Sequence, residues 1–146
     1  TNIGQSMDVT LSGGDTVLMD TLIYQVGSPK RGDVIAFKPN GSGTGHSSIK
    51  RVIGLPGETV RIDQNGNIYI NGKLLKENYG KETMLNNGRA GSDVYLGSDE
   101  YFVLGDNRNN SEDSRYADIG MIKKRYIAGK IWFTCAPFEK LGFTKG

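Results

Sequence analysis

The chain is poor in residues that staple a fold or hold a metal. It has one cysteine and one histidine in 146 residues, so an internal disulfide is excluded and no Cys/His zinc-site spacing can be written. Cys135 lies in the apolar run Ile131-Trp132-Phe133-Thr134-Cys135 and reads as a small buried hydrophobe. His46, with no second histidine or carboxylate pattern beside it, reads as a loop residue rather than a catalytic base. Charge of one sign is also missing: 18 Lys and Arg against 16 Asp and Glu leave a net charge of +2, which gives no compositional signal for nucleic acid or a membrane surface. The one basic run, Lys123-Lys124-Arg125, reads as a solvated helix face. No stretch approaches the roughly 18 apolar residues of a membrane-spanning helix, and no signal-peptide pattern is present.

Glycine is abundant, with 21 residues against four prolines. That ratio implies many tight turns, which suits short strands better than a helix bundle. A length of 146 residues is that of one principal domain with a real core, and the turn spacing predicts a mostly β architecture. Strands are expected at Thr16-Val17-Leu18-Met19, at Val34-Ile35-Ala36-Phe37, through Lys50, at Tyr101-Phe102-Val103-Leu104 and from Lys130 to Cys135. Leu22-Ile23-Tyr24 continues the first strand or starts another. Two Asn-Gly pairs, Asn65-Gly66 and Asn71-Gly72, flanked by β-branched residues, make 58–75 a β-meander. Residues 76–98 read as a polar surface elaboration, and Met121 to Ile127 has short helical spacing. Beyond Pro137 the tail packs, if at all, through Phe138, Leu141 and Phe143.

Lys50 is the residue that calls for explanation. It sits in Ser48-Ile49-Lys50-Arg51-Val52-Ile53-Gly54-Leu55-Pro56-Gly57, between apolar neighbours that hold its stem in a partly dry setting. An ammonium with a reference pKa of about 10.4 acts as a base near neutrality only if roughly 3 to 4 kcal/mol of its preference for the charged form is removed, and burial is the usual means. On spacing alone, Lys50 and Arg51 also read as two exposed charges flanking a strand. Three polar positions stand out along the chain: Ser6, Lys50 and the charged loop 105–120. A hydroxyl nucleophile needs a base, and in the absence of a suitable histidine a lysine is the alternative the chemistry allows.

These positions lie in four segments that match a known family. Ser6-Met7-Asp8-Val9-Thr10-Leu11 resembles the serine box of bacterial type I signal peptidases, and Arg31-Gly32-Asp33-Val34-Ile35-Ala36-Phe37 resembles their second box. Lys50-Arg51-Val52-Ile53-Gly54-Leu55-Pro56-Gly57-Glu58 is similar to their lysine box. Gly105-Asp106-Asn107-Arg108, followed by Asn110-Ser111 and Asp113-Ser114-Arg115, is similar to their last box. The four occur in the family's order across residues 6–120, and together they are highly specific.

The resemblance implies a signal-peptidase-like antiparallel β fold in which residues 1–58 and 100–146 form a catalytic core and 59–99 a small inserted cap, as in compact Gram-positive members. It implies a serine endopeptidase that removes signal peptides from exported preproteins after Ala-x-Ala-like sites. Ser6 would be the nucleophile, Lys50 the general base and Ser111 the residue orienting that lysine. Asp106, Arg108, Asp113 and Arg115 would support the site, and Leu11 and Ile49 would line the substrate pocket, although each is equally readable as core. The backbone N–H of Ser6 is the implied oxyanion donor; the position two residues earlier, where some members carry a hydroxyl, is Gly4. No cofactor or metal is implied. The implied partners are signal peptides and, through an N-terminal anchor outside this sequence, the membrane, with the catalytic domain on the extracytoplasmic side; nucleic acid is not among them.

Val9 stands where the family has proline, which removes one constraint on φ after the nucleophile. Ala117-Asp118-Ile119-Gly120 makes a longer link to the closing glycine than is usual. Two other readings remain open: a non-catalytic assembly factor of the same fold that binds a surface protein such as a pilin, and a self-cleaving Ser/Lys peptidase of the SOS-repressor type, which leaves the Gly105–Arg115 box without an account.

Overall fold

The computed structural model describes residues 7, 16–39, 47–76, 84, 86–111, 113–116, 119–136 and 142–143. Strands dominate and pair antiparallel throughout. They are β1 (Thr16–Asp20), β2 (Val34–Phe37), β3 (Ser48–Gly54), β4 (Thr59–Ile62), β5 (Ile68–Ile70), β6 (Lys73–Leu74), β7 (Val94–Tyr95), β8 (Glu100–Leu104), β9 (Ile122–Lys123), β10 (Ile127–Ala136) and β11 (Gly142–Phe143). One short helix, α1 (Ile23–Val26), follows β1.

Seven strands form the larger sheet in the order β1-β10-β2-β3-β8-β9, with β11 also on β10; the other four form a second sheet in the order β6-β5-β4-β7. Both faces of the larger sheet are covered, and the alternation along β8 shows it. Phe102 and Leu104 enter one apolar cluster with Ile53, Val60, Ile62, Ile68 and Ile70, whereas Tyr101 and Val103 enter another with Ile35, Phe37, Val52 and Ile122. Because side chains alternate across a strand, such a strand reads as a continuous apolar run. The second sheet rests on the Phe102 and Leu104 side of β8, and β3 must pass close beneath it. Gly54 meets that need: a Cβ there would lie 2.6 Å from Val60 Cγ2 and 2.8 Å from Leu96 Cδ1.

The predicted meander is present as β4, β5 and β6. Asn71 and Gly72 have φ of 52° and 82°, the two successive positive values that a type I′ hairpin turn requires. At Asn65-Gly66 the turn is organised by Asp63, whose carboxylate accepts the N–H groups of Asn65 and Asn67, both at 2.9 Å.

Five local expectations are corrected. Leu22-Ile23-Tyr24 enters one turn of helix because the Asp20 carboxylate accepts the N–H groups of Leu22 and Ile23 and so turns the chain at the end of β1. Residues 76–98 are more than surface elaboration, since Met84, Ala90, Val94 and Leu96 are buried in the core between the sheets. Met121 to Ile127 is a short strand and a 3-10 turn rather than a helix: Ile122 is claimed by strand pairing with Tyr101, which outweighs the weak helical spacing. For the same reason Lys123-Lys124-Arg125 is not a helix face, and Lys124 Nζ donates to the Gly27 carbonyl at 2.9 Å. The last strand begins earlier than predicted, at Ile127. In the tail Phe143 pairs in β11, opposite Phe133, while Phe138, Leu141 and His46 lie outside the described residues.

Candidate active site

The second motif is a turn that locks β2 onto β3. Gly32 has a φ of 94°, a conformation that favours glycine; its N–H donates to the Val52 carbonyl at 2.9 Å, and the Val52 N–H donates to the Asp33 carbonyl at 2.8 Å. The Asp33 carboxylate accepts from the Tyr24 hydroxyl at 2.7 Å and pairs with Lys130 Nζ at 3.4 Å. Burial, and then the bond to Asp33 and its charge, push the Tyr24 hydroxyl well above its ordinary pKa. Arg31 forks onto Glu58 at 2.7 and 2.8 Å and also donates to the Ile53 carbonyl, which closes the Leu55-Pro56-Gly57 turn from outside.

On β3, Lys50 stands opposite Ile35 and Arg51 opposite Val34. Directly paired residues share a face, so Lys50 lies on the side of Ile35 and Val52, while Arg51 lies on the side of Val34 and Ala36. Neither is an exposed charge: Lys50 is 7% exposed and Arg51 is fully buried. The last β3–β8 pair on this side is Arg51 with Leu104, so Lys50 extends one position beyond it, where β8 gives way to Gly105 and the charged loop.

That loop is built around Asp113. One of its oxygens, Oδ2, accepts from the Gly105 N–H at 3.1 Å, the Ser111 hydroxyl at 2.9 Å and Arg115 Nη2 at 2.9 Å. The other, Oδ1, accepts from Arg115 Nε at 2.8 Å. Ser114 uses its backbone and hydroxyl to bond both polar groups of Val103, which docks the loop along β8. Arg108 Nε donates to the Gly105 carbonyl at 2.8 Å.

Asp106 points elsewhere, onto Arg51. The guanidinium Nε donates to Oδ1 at 3.0 Å and Nη2 to Oδ2 at 2.9 Å, while Nη1 donates to the Gly32 carbonyl at 2.7 Å. This pair is fully buried. The Asp106 N–H donates to the Met7 thioether at 3.3 Å, and Met7 is itself fully buried among Val34, Ala36, Ile49 and Ile131. All four motifs therefore meet here, through Met7, Gly32, Arg51 and Asp106.

The structure thus brings Lys50, Asp106, Arg108, Ser111, Asp113 and Arg115 to one end of the β3–β8 pair, with Ile49 in the Met7 cluster at 6% exposure. Ser6 and Leu11 lie outside the described residues, as do Gly4 and Val9; Ser6 is one peptide bond from Met7. Two residues with a large part in the geometry were not singled out by their own chemistry in the sequence, Arg51 and Met7. A buried cation requires a buried anion, so an arginine inside an apolar strand was the available signal for the first; the second had none beyond its apolar character.

Comparison with known proteins agrees with this arrangement. Residues 1–136 match the family model described as signal peptidase, peptidase S26. A probable signal peptidase I-2 of Synechocystis sp. is 36% identical over 94% of this chain and 62% of its own length. A signal peptidase I of Bacillus amyloliquefaciens is 36% identical over 97% of this chain and 77% of its own. The crystal structure of a signal peptidase I from Enterococcus faecalis V583 superposes with a TM-score of 0.53 at 38% identity, covering 70% of this chain and 95% of that one. The chain belongs to the signal peptidase family, peptidase S26. Within that family, the relatives named above are signal peptidases I. The chain spans less than two thirds of the cyanobacterial relative and about three quarters of the Bacillus one.

Proposed function

We propose that this chain cleaves signal peptides from exported preproteins after Ala-x-Ala-like sites, with Ser6 as nucleophile and neutral Lys50 as general base. The observation that carries the reading is the burial of Lys50 at the end of the β3–β8 pair, beside the loop in which Ser111 and Asp113 are joined. Burial disfavours the ammonium form, and a neutral amine can take the Ser6 proton as Oγ attacks the scissile carbonyl. The same amine then returns that proton to the leaving nitrogen, and water resolves the acyl-enzyme. Ser111 would orient the lysine, and the Ser6 backbone N–H would face the developing oxyanion.

In this reading Asp106, Arg108, Asp113 and Arg115 hold the loop and move no proton. Ile49 and Leu11 would line a shallow pocket for the small side chain before the cleaved bond, with the substrate added as an extended strand. Residues 1–58 and 100–146 would carry the chemistry, and 59–99 would be a cap on them. The work would be done on the extracytoplasmic face of the membrane. Among the described residues no helix is long and apolar enough to cross a bilayer.

The test is turnover of an Ala-x-Ala signal-peptide substrate in detergent or lipid. The expected outcome is cleavage by the parent chain, with Ser6→Ala and Lys50→Ala each losing about 10³-fold or more. Equal and negligible turnover by all three, with substrate still bound, would replace this reading with the assembly factor.

A further inference from the structure

Between β6 and β7 the turn Asn86-Asn87-Gly88-Arg89 leaves its own sheet and lies against the charged loop. Arg115 Nη1 donates to the Asn86 carbonyl at 2.8 Å, and the Arg89 N–H donates to the Arg115 carbonyl at 2.9 Å. Gly88 is packed so closely that a Cβ on it would collide with the Arg115 carbonyl oxygen and lie 2.8 Å from Arg115 Cβ; its φ is +53°. The turn is fixed in place from the other side: Asn87 Nδ2 donates to the Ile62 carbonyl of β4 at 3.0 Å, and Ala90 is fully buried in the core between the sheets. Arg115 is fully buried as well; its Nε and Nη2 clasp Asp113, the carboxylate that accepts from Ser111, and Nη2 also donates to the Arg108 and Ser111 carbonyls of the same loop.

We propose that the Asn86–Arg89 turn is a positioning element for the reaction: it clamps Arg115, which holds Asp113, which sets the Ser111 hydroxyl toward the general base. The proposal deepens the reading of the preceding subsection and rests on it for the role of Ser111. It gives the second sheet a part in catalysis that substrate contact alone would not. The physical reason lies in the shape of the loop. Asp113 accepts at both oxygens, so its orientation depends on where the Arg115 guanidinium is held. One polar anchor of that guanidinium outside its own loop is the Asn86 carbonyl, and the Arg115 backbone is gripped by the same turn.

The experiment compares Gly88→Ala, Asn87→Ala and Ser111→Ala with the parent chain, using Gly72→Ala as control. Gly72 also has a positive φ of 82°, but a Cβ there meets nothing within 4 Å, so it reports backbone strain alone. Each is assayed for kcat, KM and the pH profile well below its unfolding temperature. Gly88→Ala is expected to lower kcat about tenfold or more with KM within about twofold, and to move the acid limb of the profile in the same direction as Ser111→Ala. Asn87→Ala, which cuts the tether and adds no atom, follows with a smaller loss, and Gly72→Ala stays within about twofold of the parent. A Gly88→Ala enzyme with parental kcat and pH profile, or a loss equalled by Gly72→Ala, would overturn the proposal. If the parent chain does not turn over substrate, the functional reading fails separately, and the clamp is judged by NMR titration of isotopically methylated Lys50. A Gly88→Ala titration that follows Ser111→Ala supports it, and one that follows the parent overturns it.

Discussion

Replacing Asp106 by alanine isolates the contact on which all four motifs converge. Arg51 and Asp106 are both fully buried, and the carboxylate receives Nε and Nη2 of the guanidinium at 3.0 and 2.9 Å. Truncating the acid leaves the cation in the core without its counter-charge, a change that costs about 3 to 5 kcal/mol. A domain of this size is stable by only about 5 to 15 kcal/mol, so the variant is expected to lose roughly a fifth or more of its stability, and its melting temperature should fall by about 10 to 15 °C. Urea unfolding followed by the fluorescence of Trp132, the single tryptophan, measures the loss directly. The double variant Arg51→Met with Asp106→Leu removes both charges and should recover most of it, because an apolar pair of similar volume avoids the desolvation that the ions suffer. A loss below about 1 kcal/mol in Asp106→Ala, the scale of an exposed pair, would refute the reasoning and show that water reaches Arg51.

Glu58 gives a pH-dependent prediction. Burial raises its pKa, but the hydrogen bonds from Arg31 and from the Leu55 N–H, with the Arg31 charge, lower it further and leave it below the ordinary 4.5. A depressed carboxyl contributes stability that is present above its unfolded value and is lost as pH falls through its folded value. Glu58→Gln should therefore cost about 1 to 2 kcal/mol at pH 7, and the gap between parent and variant should close in chemical denaturation series run below pH 4.5. At Gly54 an added methyl group meets Val60, Leu96 and Phe102 at 2.6 to 3.0 Å, so Gly54→Ala should cost about 1 to 3 kcal/mol by overpacking. Gly57→Ala, with nothing within 4 Å but a φ of +81°, should cost only about 1 kcal/mol of backbone strain. Thermal unfolding of the two variants separates them.

The features legible in the sequence were those carried by local chemistry. Asn71-Gly72 specifies its hairpin because few residues other than asparagine and glycine accept two successive positive φ values. The apolar runs of β2 and β8 were visible because strands covered on both faces need apolar residues at every position, as Phe102 and Val103 show by facing different clusters. The charged loop stood out by its paired charges, and family resemblance assigned roles to its members. Composition and turn spacing could not show that Met84, Ala90, Val94 and Leu96 belong to the core, because these residues are scattered singly through polar sequence and become a surface only when the two sheets meet.

By itself the sequence determined the β character of the chain, its turns, and the presence in order of four motifs that make a serine, a lysine and a charged loop available for one chemistry. Tertiary structure alone decided how the charges are partnered. Asp106 pairs with Arg51, 55 residues away, and Asp113 pairs with Arg115, two residues on, whose guanidinium also reaches the Asn86 carbonyl 29 residues back. That choice depends on which side of β3 each side chain takes, and the side is set by register with β2 and β8, a long-range property that shifts every side chain to the other face if it slips by one residue.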